Sequence, residues 1–183
     1  MIDPLFRLVI AVACALLLLL SAWHKVAARE RFIAALGDYR LLPGSLLRPT
    51  AALIPVLEAS LGLAWLTGHE IDTVAVLTAG LLALYACAIA INLWRGRVHI
   101  SCGCGFGGAA GEDQPLSWWL VARNLLLGAL AVLATLPAAS RELGRYDWLT
   151  LALALAACGL LHAGVSQLLR NGAAISSWRR LRD

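Results

Sequence analysis

Long runs of apolar residues alternate along this chain with short charged or glycine-rich connections, and five windows stand out: residues 4–23, 50–67, 73–94, 116–137 and 148–169. A helix needs roughly 20 residues to cross the hydrocarbon core of a bilayer, and each window meets or approaches that length. In lipid the backbone must satisfy its own polar groups, so Leu-, Ala- and Val-rich runs of this kind predict helices. The only formally charged side chains inside the windows are Arg7, Glu58 and Arg123. The first window is longer than the apolar part of a typical secretory signal, and no A-x-A pattern follows at Ser21-Ala22-Trp23-His24, so it is expected to be a retained helix.

The connections add detail. In the charged stretch 24–49, Phe32, Ile33, Leu36 and Tyr39 recur at helical spacing opposite Arg29, Glu30, Asp38 and Arg40. That pattern predicts a short amphipathic helix lying in the membrane interface, ended by Leu42-Pro43-Gly44-Ser45. The link 68–72 is short enough to make the second and third windows an antiparallel hairpin. Asp113 and Pro115 read as the start of the fourth helix, and Trp118 and Trp119 fall where an aromatic belt would meet the headgroups. Together these elements predict an all-α, polytopic transmembrane bundle of four to five helices with a short interfacial helix after the first, one membrane domain over residues 1–183.

Composition agrees with this. Of the 183 residues, 61% are hydrophobic and only 14% charged, too apolar for an ordinary soluble domain. The net charge of +4 does not point to nucleic acid, because the basic residues flank apolar segments instead of interleaving with aromatics on a soluble face. Their expected partner is membrane lipid. Under the five-helix reading, one side carries Lys25, Arg29, Arg31, Arg40, Arg48, Arg95, Arg97, Arg170, Arg179, Arg180 and Arg182, and the other Arg7, Arg141 and Arg145. The positive-inside rule then places the N-terminus outside and the 95–115 connection at the cytoplasmic face.

That connection holds six glycines and the pair Cys102-Gly103-Cys104. A disulfide wants its two Cα atoms about 5.5–6 Å apart, less than an extended i to i+2 span of about 7 Å, so the chain must bend at Gly103. A strained disulfide is easier to reduce, which suits electron exchange better than permanent cross-linking. Arg95, Arg97 and His99 lie just upstream, and positive charge favours the reactive thiolate. Cys102, Cys104 and His99 give three metal ligands where a structural site wants four, so no metal is assigned. Inert free thiols are the plain alternative. Cys14, Cys87 and Cys158 lie among Ala and Leu and are expected to pack as small apolar residues.

Charges at membrane depth are costly unless paired, which makes Glu58 and Arg123 candidates for an interhelical ion pair, either a structural clamp or a group handling protons or a quinone. Asn92, Asn124 and His162 are candidate interhelical hydrogen-bonding groups.

Several segments taken together resemble the methylamine utilisation protein MauE family, within the wider DoxX-like group. They are Tyr39-Arg40-Leu41-Leu42-Pro43, Pro55-x-x-Glu58, Asn92-Leu93-Trp94-Arg95-Gly96-Arg97, and Cys102-Gly103-Cys104 with Gly105-Phe106-Gly107. The resemblance runs from the first helix to the fourth. It implies a multi-pass bacterial inner-membrane protein needed for maturation of methylamine dehydrogenase, whose disulfide-rich small subunit would be its periplasmic client, and a thioredoxin-like partner of the MauD type. The helical bundle and cysteine pair are also similar to quinone-coupled disulfide enzymes of the VKOR and DsbB type. By that analogy a quinone is a candidate electron acceptor, although no residue here requires a cofactor.

The leading expectation is therefore a membrane thiol–disulfide redox protein in which Cys102 and Cys104 cycle, supported by Gly103, Arg95, Arg97, Glu58 and Arg123. A non-catalytic scaffold for the thioredoxin-like partner is the alternative. A small-solute transporter is disfavoured, since no Gly/Pro-broken helices occur in matched halves.

Overall fold

A computed structural model describes residues 1–97 and 116–180, and within them the chain forms six helices: α1 (Pro4–Ala27), α2 (Arg29–Tyr39), α3 (Gly44–Thr67), α4 (Ile71–Trp94), α5 (Trp118–Leu133) and α6 (Arg145–Arg180). They fall into two compact units, residues 1–139 and 140–183.

Local chemistry sets the helix boundaries. Pro4 opens α1, where its missing N–H costs nothing, and the Asp3 carboxylate accepts from the Leu5 N–H at 2.8 Å. Ala28 breaks the helix at φ −117°, ψ 43°, and α2 follows at once, closing on Arg40 in the left-handed region. The amphipathic pattern of residues 29–39 is thus realised, with Phe32, Ala35 and Tyr39 buried against neighbouring helices. α3 begins at Gly44, six residues ahead of the apolar window, and includes Arg48 and Pro49. It ends on Gly68 at φ 68°, a conformation glycine adopts without the Cβ penalty, and α4 starts three residues later. α5 is shorter than its window. It starts at Trp118 behind the extended Ser117, and turns at 134–136 end it before Pro137. Asp113 and Pro115, the expected start signal, lie outside the described residues.

In unit 1 the buried positions of α3 are Ala51, Pro55, Glu58, Gly62 and Trp65, and those of α1 include Ala11, Cys14, Leu18, Ser21 and Lys25. Both sets alternate steps of three and four, the 3.5-residue seam of near-antiparallel helices with a shallow crossing angle. α1 packs chiefly on α3 and α4 on α5, while α3–α4 and α1–α5 contacts close the ring and α2 lies mainly on α3. The core is built from small residues, with Ala15, Ala75, Ala131 and Ala134 fully buried around Leu18 and Trp65. The Trp65 indole N–H donates to Thr78 Oγ1 at 3.0 Å across the α3–α4 contact. A one-residue bridge ties the N-terminus to the segment after α5, Ile2 N–H to Pro137 O and Ala139 N–H to Ile2 O.

The outer surface is apolar, with Leu16, Leu20, Leu53, Val56, Leu63, Val76, Leu77, Leu84 and Leu126 all exposed. Water would not tolerate so large an apolar surface, and lipid would. α1, α3 and α4 are each long and apolar enough to cross a membrane, and α5 is a shorter apolar helix. In unit 2, the Asp147 carboxylate at the start of α6 accepts from both Arg141 guanidinium nitrogens and from the Gly144 N–H. These bonds, the Arg141 one foremost, hold it below the usual carboxylate range.

Two outcomes follow. A Cβ at Gly62 would sit 2.8 Å from Leu19 Cγ and 3.3 Å from the Ala15 carbonyl, whereas one at Gly128 would meet Ala79 at an ordinary 3.7 Å. Gly62→Ala should lower the unfolding free energy by about 1–3 kcal/mol and Gly128→Ala should leave it within about 0.5 kcal/mol, read by denaturant titration of the purified protein. Because the folded-state pKa of Asp147 is depressed, its support of the α6 start is present at neutral pH and lost as pH falls through that value. Hydrogen exchange in the first turn of α6, corrected for intrinsic rates, should accelerate with acid and lose that dependence in Asp147→Asn.

Candidate functional site

Glu58 occupies the centre of the α3 seam and is 1% exposed. A carboxylate taken out of water needs a counter-charge and hydrogen bonds. α1 supplies both. Lys25, in the last turn of that helix, is 5% exposed and donates from Nζ to Glu58 Oε1 at 2.5 Å and to Ser21 Oγ at 2.6 Å. Helical side chains tilt toward the N-terminus, so a residue at i+4 reaches back over residue i. That tilt carries the Lys25 ammonium one turn deeper than its backbone. Ser21 Oγ in turn donates to Glu58 Oε1 at 2.9 Å, and Tyr85 of α4 donates its hydroxyl to the same oxygen at 2.8 Å. The ammonium also lies 5.5 Å from the Phe32 ring centroid of α2 and 5.3 Å from that of Tyr85, both favourable cation–π distances.

Four helices therefore converge on one buried charge pair. Glu58 Oε1 receives three donors, and Oε2 is buried with no hydrogen-bond partner among the described residues. Lys25 is the only lysine in the chain, every other one of the 15 basic residues being arginine.

The pairing differs from the Glu58–Arg123 ion pair expected from the sequence. Arg123 is half-buried on α5, its Nε without a partner among the described residues, and the counter-charge of Glu58 is Lys25. The reason lies in side-chain reach: Lys25 sits outside the apolar window, yet its ammonium turns back into it. Ser21, Lys25 and Tyr85 are site residues the sequence reading missed. The signal was the i, i+4 spacing of Ser21 and Lys25 at the end of the first apolar run.

A second group gathers at the end of unit 1 where α4 stops and α5 begins. Tyr39, Ile89, Leu116 and Leu120 pack in one buried cluster, and the Trp94 and Trp118 rings are 6.1 Å apart. Arg95 caps α4 and is exposed; the Arg97 N–H donates to Asn92 O, and Arg97 Nη1 is buried without a partner among the described residues. Asn92 and Asn124 are buried and bond back to the carbonyls four residues earlier, Ala88 and Leu120. Cys102, Gly103, Cys104 and His99 lie outside the described residues, as does the His162 side chain. Of the other cysteines, Cys14 is in the core as expected, whereas Cys87 and Cys158 are exposed on their helices, so packing does not account for them.

A family model described as methylamine utilisation protein MauE matches residues 3–137. Among curated proteins, the chain is 39% identical over 141 residues to methylamine utilization protein MauE of Paracoccus denitrificans, covering 76% of this chain and 74% of that protein. It is 35% identical over 177 residues to the MauE protein of Methylorubrum extorquens, covering 96% and 89%. With that of Paracoccus versutus it shares 34% identity over 168 residues, 91% and 88% of the two chains. No solved structure matches.

Removing one partner of a buried ion pair leaves the other uncompensated. Lys25→Met or Glu58→Gln alone should cost about 3–5 kcal/mol of stability, and Lys25→Met with Glu58→Leu should recover most of it. Arg123→Ala should add to Glu58→Gln within about 0.5 kcal/mol, the behaviour of uncoupled sites in a double-mutant cycle read by denaturant titration.

Proposed function

The chain belongs to the methylamine utilisation protein MauE family, and from that membership we propose that it is a multi-pass inner-membrane protein supporting disulfide formation in a periplasmic client. The client would be the small subunit of methylamine dehydrogenase, and the working groups Cys102 and Cys104, exchanging with a thioredoxin-like partner of the MauD type.

The observation that supports this reading is that the ends of the segment carrying the cysteine pair in sequence are both held to the bundle. Arg97 is bonded to Asn92 at the end of α4, and Leu116 is buried beside Tyr39 and Leu120 at the start of α5. Cys102 is five residues from Arg97, so by chain reach the two Cα atoms are within about 18 Å of each other. Chain length alone keeps Cys102 within that distance of the bundle end bearing Arg95 and Arg97, and positive charge close to a cysteine would favour its thiolate.

The oxidant in the exchange is the Cys102–Cys104 disulfide, which the disulfide of the thioredoxin-like partner restores. A client thiolate attacks one sulfur of the Cys102–Cys104 disulfide, that S–S bond breaks, and a mixed disulfide forms. The client's second thiolate then displaces the chain's cysteine. The client leaves oxidised, and Cys102 and Cys104 hold its two electrons and take up two protons. The disulfide of the thioredoxin-like partner accepts them in a second exchange of the same kind.

The charge pattern and the disulfide chemistry favour opposite faces of the membrane. Arg29, Arg31, Arg40, Arg48 and Arg95 are all exposed in segments that flank the cysteine-bearing end, which favours the cytoplasmic face even with the buried Lys25 removed from the count. Disulfide formation belongs to the periplasmic face.

Differential alkylation of Cys102 and Cys104 in sealed vesicles with an impermeant maleimide, before and after reduction, should reveal a reversible disulfide labelled from one face. Cys102→Ser and Cys104→Ser should each abolish client disulfide formation while leaving the protein folded. Intact client disulfides in both variants would overturn the redox reading in favour of a scaffold for the partner.

A further inference from the structure

The charges of unit 1 are unequally shared between its two ends. At one end α1 stops, α2 lies, α3 starts, α4 stops and α5 starts, and there Arg29, Arg31, Arg40, Arg48 and Arg95 are exposed. Against these five arginines the same end exposes two carboxylates, Glu30 and Asp38. The other end, made by residues 1–3, 68–72 and 134–139, exposes Asp3, Glu70 and Asp72 and no arginine or lysine. None of the five arginines forms an ion pair with another described residue.

The fold changes what α2 can offer a membrane. An interfacial helix ordinarily binds by sinking its apolar face into lipid, but here Phe32, Ala35 and Tyr39 are buried in the bundle. The outward side of α2 is its charged side, so its attraction to a bilayer is electrostatic, and that attraction discriminates among headgroups. Every exposed cation at this end is arginine, the chain's single lysine being buried against Glu58. A bias in charge alone is met by lysine, whereas a planar guanidinium sets two N–H donors on two oxygens of one phosphate.

The depth of these arginines follows from their neighbours. Val26 stands just before Arg29, Leu41 after Arg40, Leu46 before Arg48 and Trp94 before Arg95, and all four apolar side chains are exposed. Trp23, Trp118 and Trp119 are exposed at the same end. Cations interleaved with tryptophan and leucine mark the level at which hydrocarbon gives way to headgroups. An acidic soluble partner would engage the arginines and leave their apolar neighbours wet, whereas a phospholipid covers both with one molecule. We propose that this arginine rim is a binding surface for anionic phospholipids, with the five guanidinium groups on headgroup phosphates and the adjacent Trp and Leu side chains against the upper acyl chains. Phosphatidylethanolamine brings an ammonium beside its phosphate, which the rim repels, so the surface selects phosphatidylglycerol. This selection stands whether or not Cys102 and Cys104 exchange disulfides.

The test is a competition between two lipids. Full-length protein in an uncharged detergent is incubated with equal amounts of phosphatidylglycerol and phosphatidylethanolamine of identical acyl chains, and the lipids retained are counted by native mass spectrometry. Phosphatidylglycerol adducts should exceed phosphatidylethanolamine adducts by about tenfold, and a roughly tenfold rise in salt should cut that excess severalfold. Arg29→Gln, Arg31→Gln, Arg40→Gln, Arg48→Gln and Arg95→Gln combined should bring the ratio to about one, with helical circular dichroism unchanged, because exposed substitutions perturb folding little. Arg179→Gln, Arg180→Gln and Arg182→Gln, in the basic tail, should leave most of the excess. A wild-type ratio near one overturns the proposal, whatever the variants do, and leaves the rim to an acidic protein partner. So does an excess that survives the five substitutions in a folded protein, or one that disappears with the tail arginines.

Discussion

A carboxylate inside an apolar bundle cannot stand alone, and the arrangement of the helices in unit 1 follows from that requirement at Glu58. Lys25 and Ser21 fix the rotation of α1 about its axis, because both must face α3. Tyr85 does the same for α4, and the Phe32 ring lays α2 over the ammonium. The pairing is not a large source of net stability, since desolvating both charges offsets much of their attraction. Its effect is specificity. Apolar seams of Ala and Leu tolerate many rotations and registers, whereas three donors converging on one oxygen tolerate few.

The rest of the packing lets those donors meet. Without a strong hydrophobic driving force between helices in lipid, close approach depends on small residues, and the fully buried alanines and Gly62 provide it. Gly62 lies one turn from Glu58 on the same buried stripe of α3, against Leu19 and Ala15 of α1. The backbone contact there and the ion pair beside it are one feature. An α1–α3 spacing set by a larger side chain at position 62 would lengthen the Lys25–Glu58 and Ser21–Glu58 bonds together.

The sequence carried the helices and the family clearly, for physical reasons that also explain where it misled. Long Leu/Ala runs have one solution in lipid, so α1, α3 and α4 were legible from composition alone, and α2 from the spacing of Phe32 and Tyr39. Boundaries were less legible because charge and proline were read as breaks. Arg48 and Pro49 nevertheless lie inside α3, Pro49 in its second turn, where it gives up one intrahelical hydrogen bond. The ion pair was illegible for the opposite reason. Lys25 was read as a loop charge because its Cα lies beyond the apolar window, and only the backward tilt of its side chain shows that the ammonium lies inside. Counting charges by segment assigns a residue to the depth of its backbone, and for lysine the charge sits several ångströms away.

α2 links the two polar features of the molecule. Phe32 rests on the Lys25 ammonium, and Tyr39, seven residues on and therefore about 10 Å along the helix, packs with Ile89, Leu116 and Leu120. Those last residues sit at the ends of the α4 and α5 helices that bracket the segment carrying Cys102 and Cys104. Phe32 and Tyr39 thus stand two turns apart on one helix, with no loop between the two contacts. The short amphipathic helix is more than a membrane anchor in this geometry. With α4, which carries Tyr85 and Ile89, it is in contact with both the buried charge pair and the apolar cluster beside the cysteine segment, through the packing of Phe32 and Tyr39.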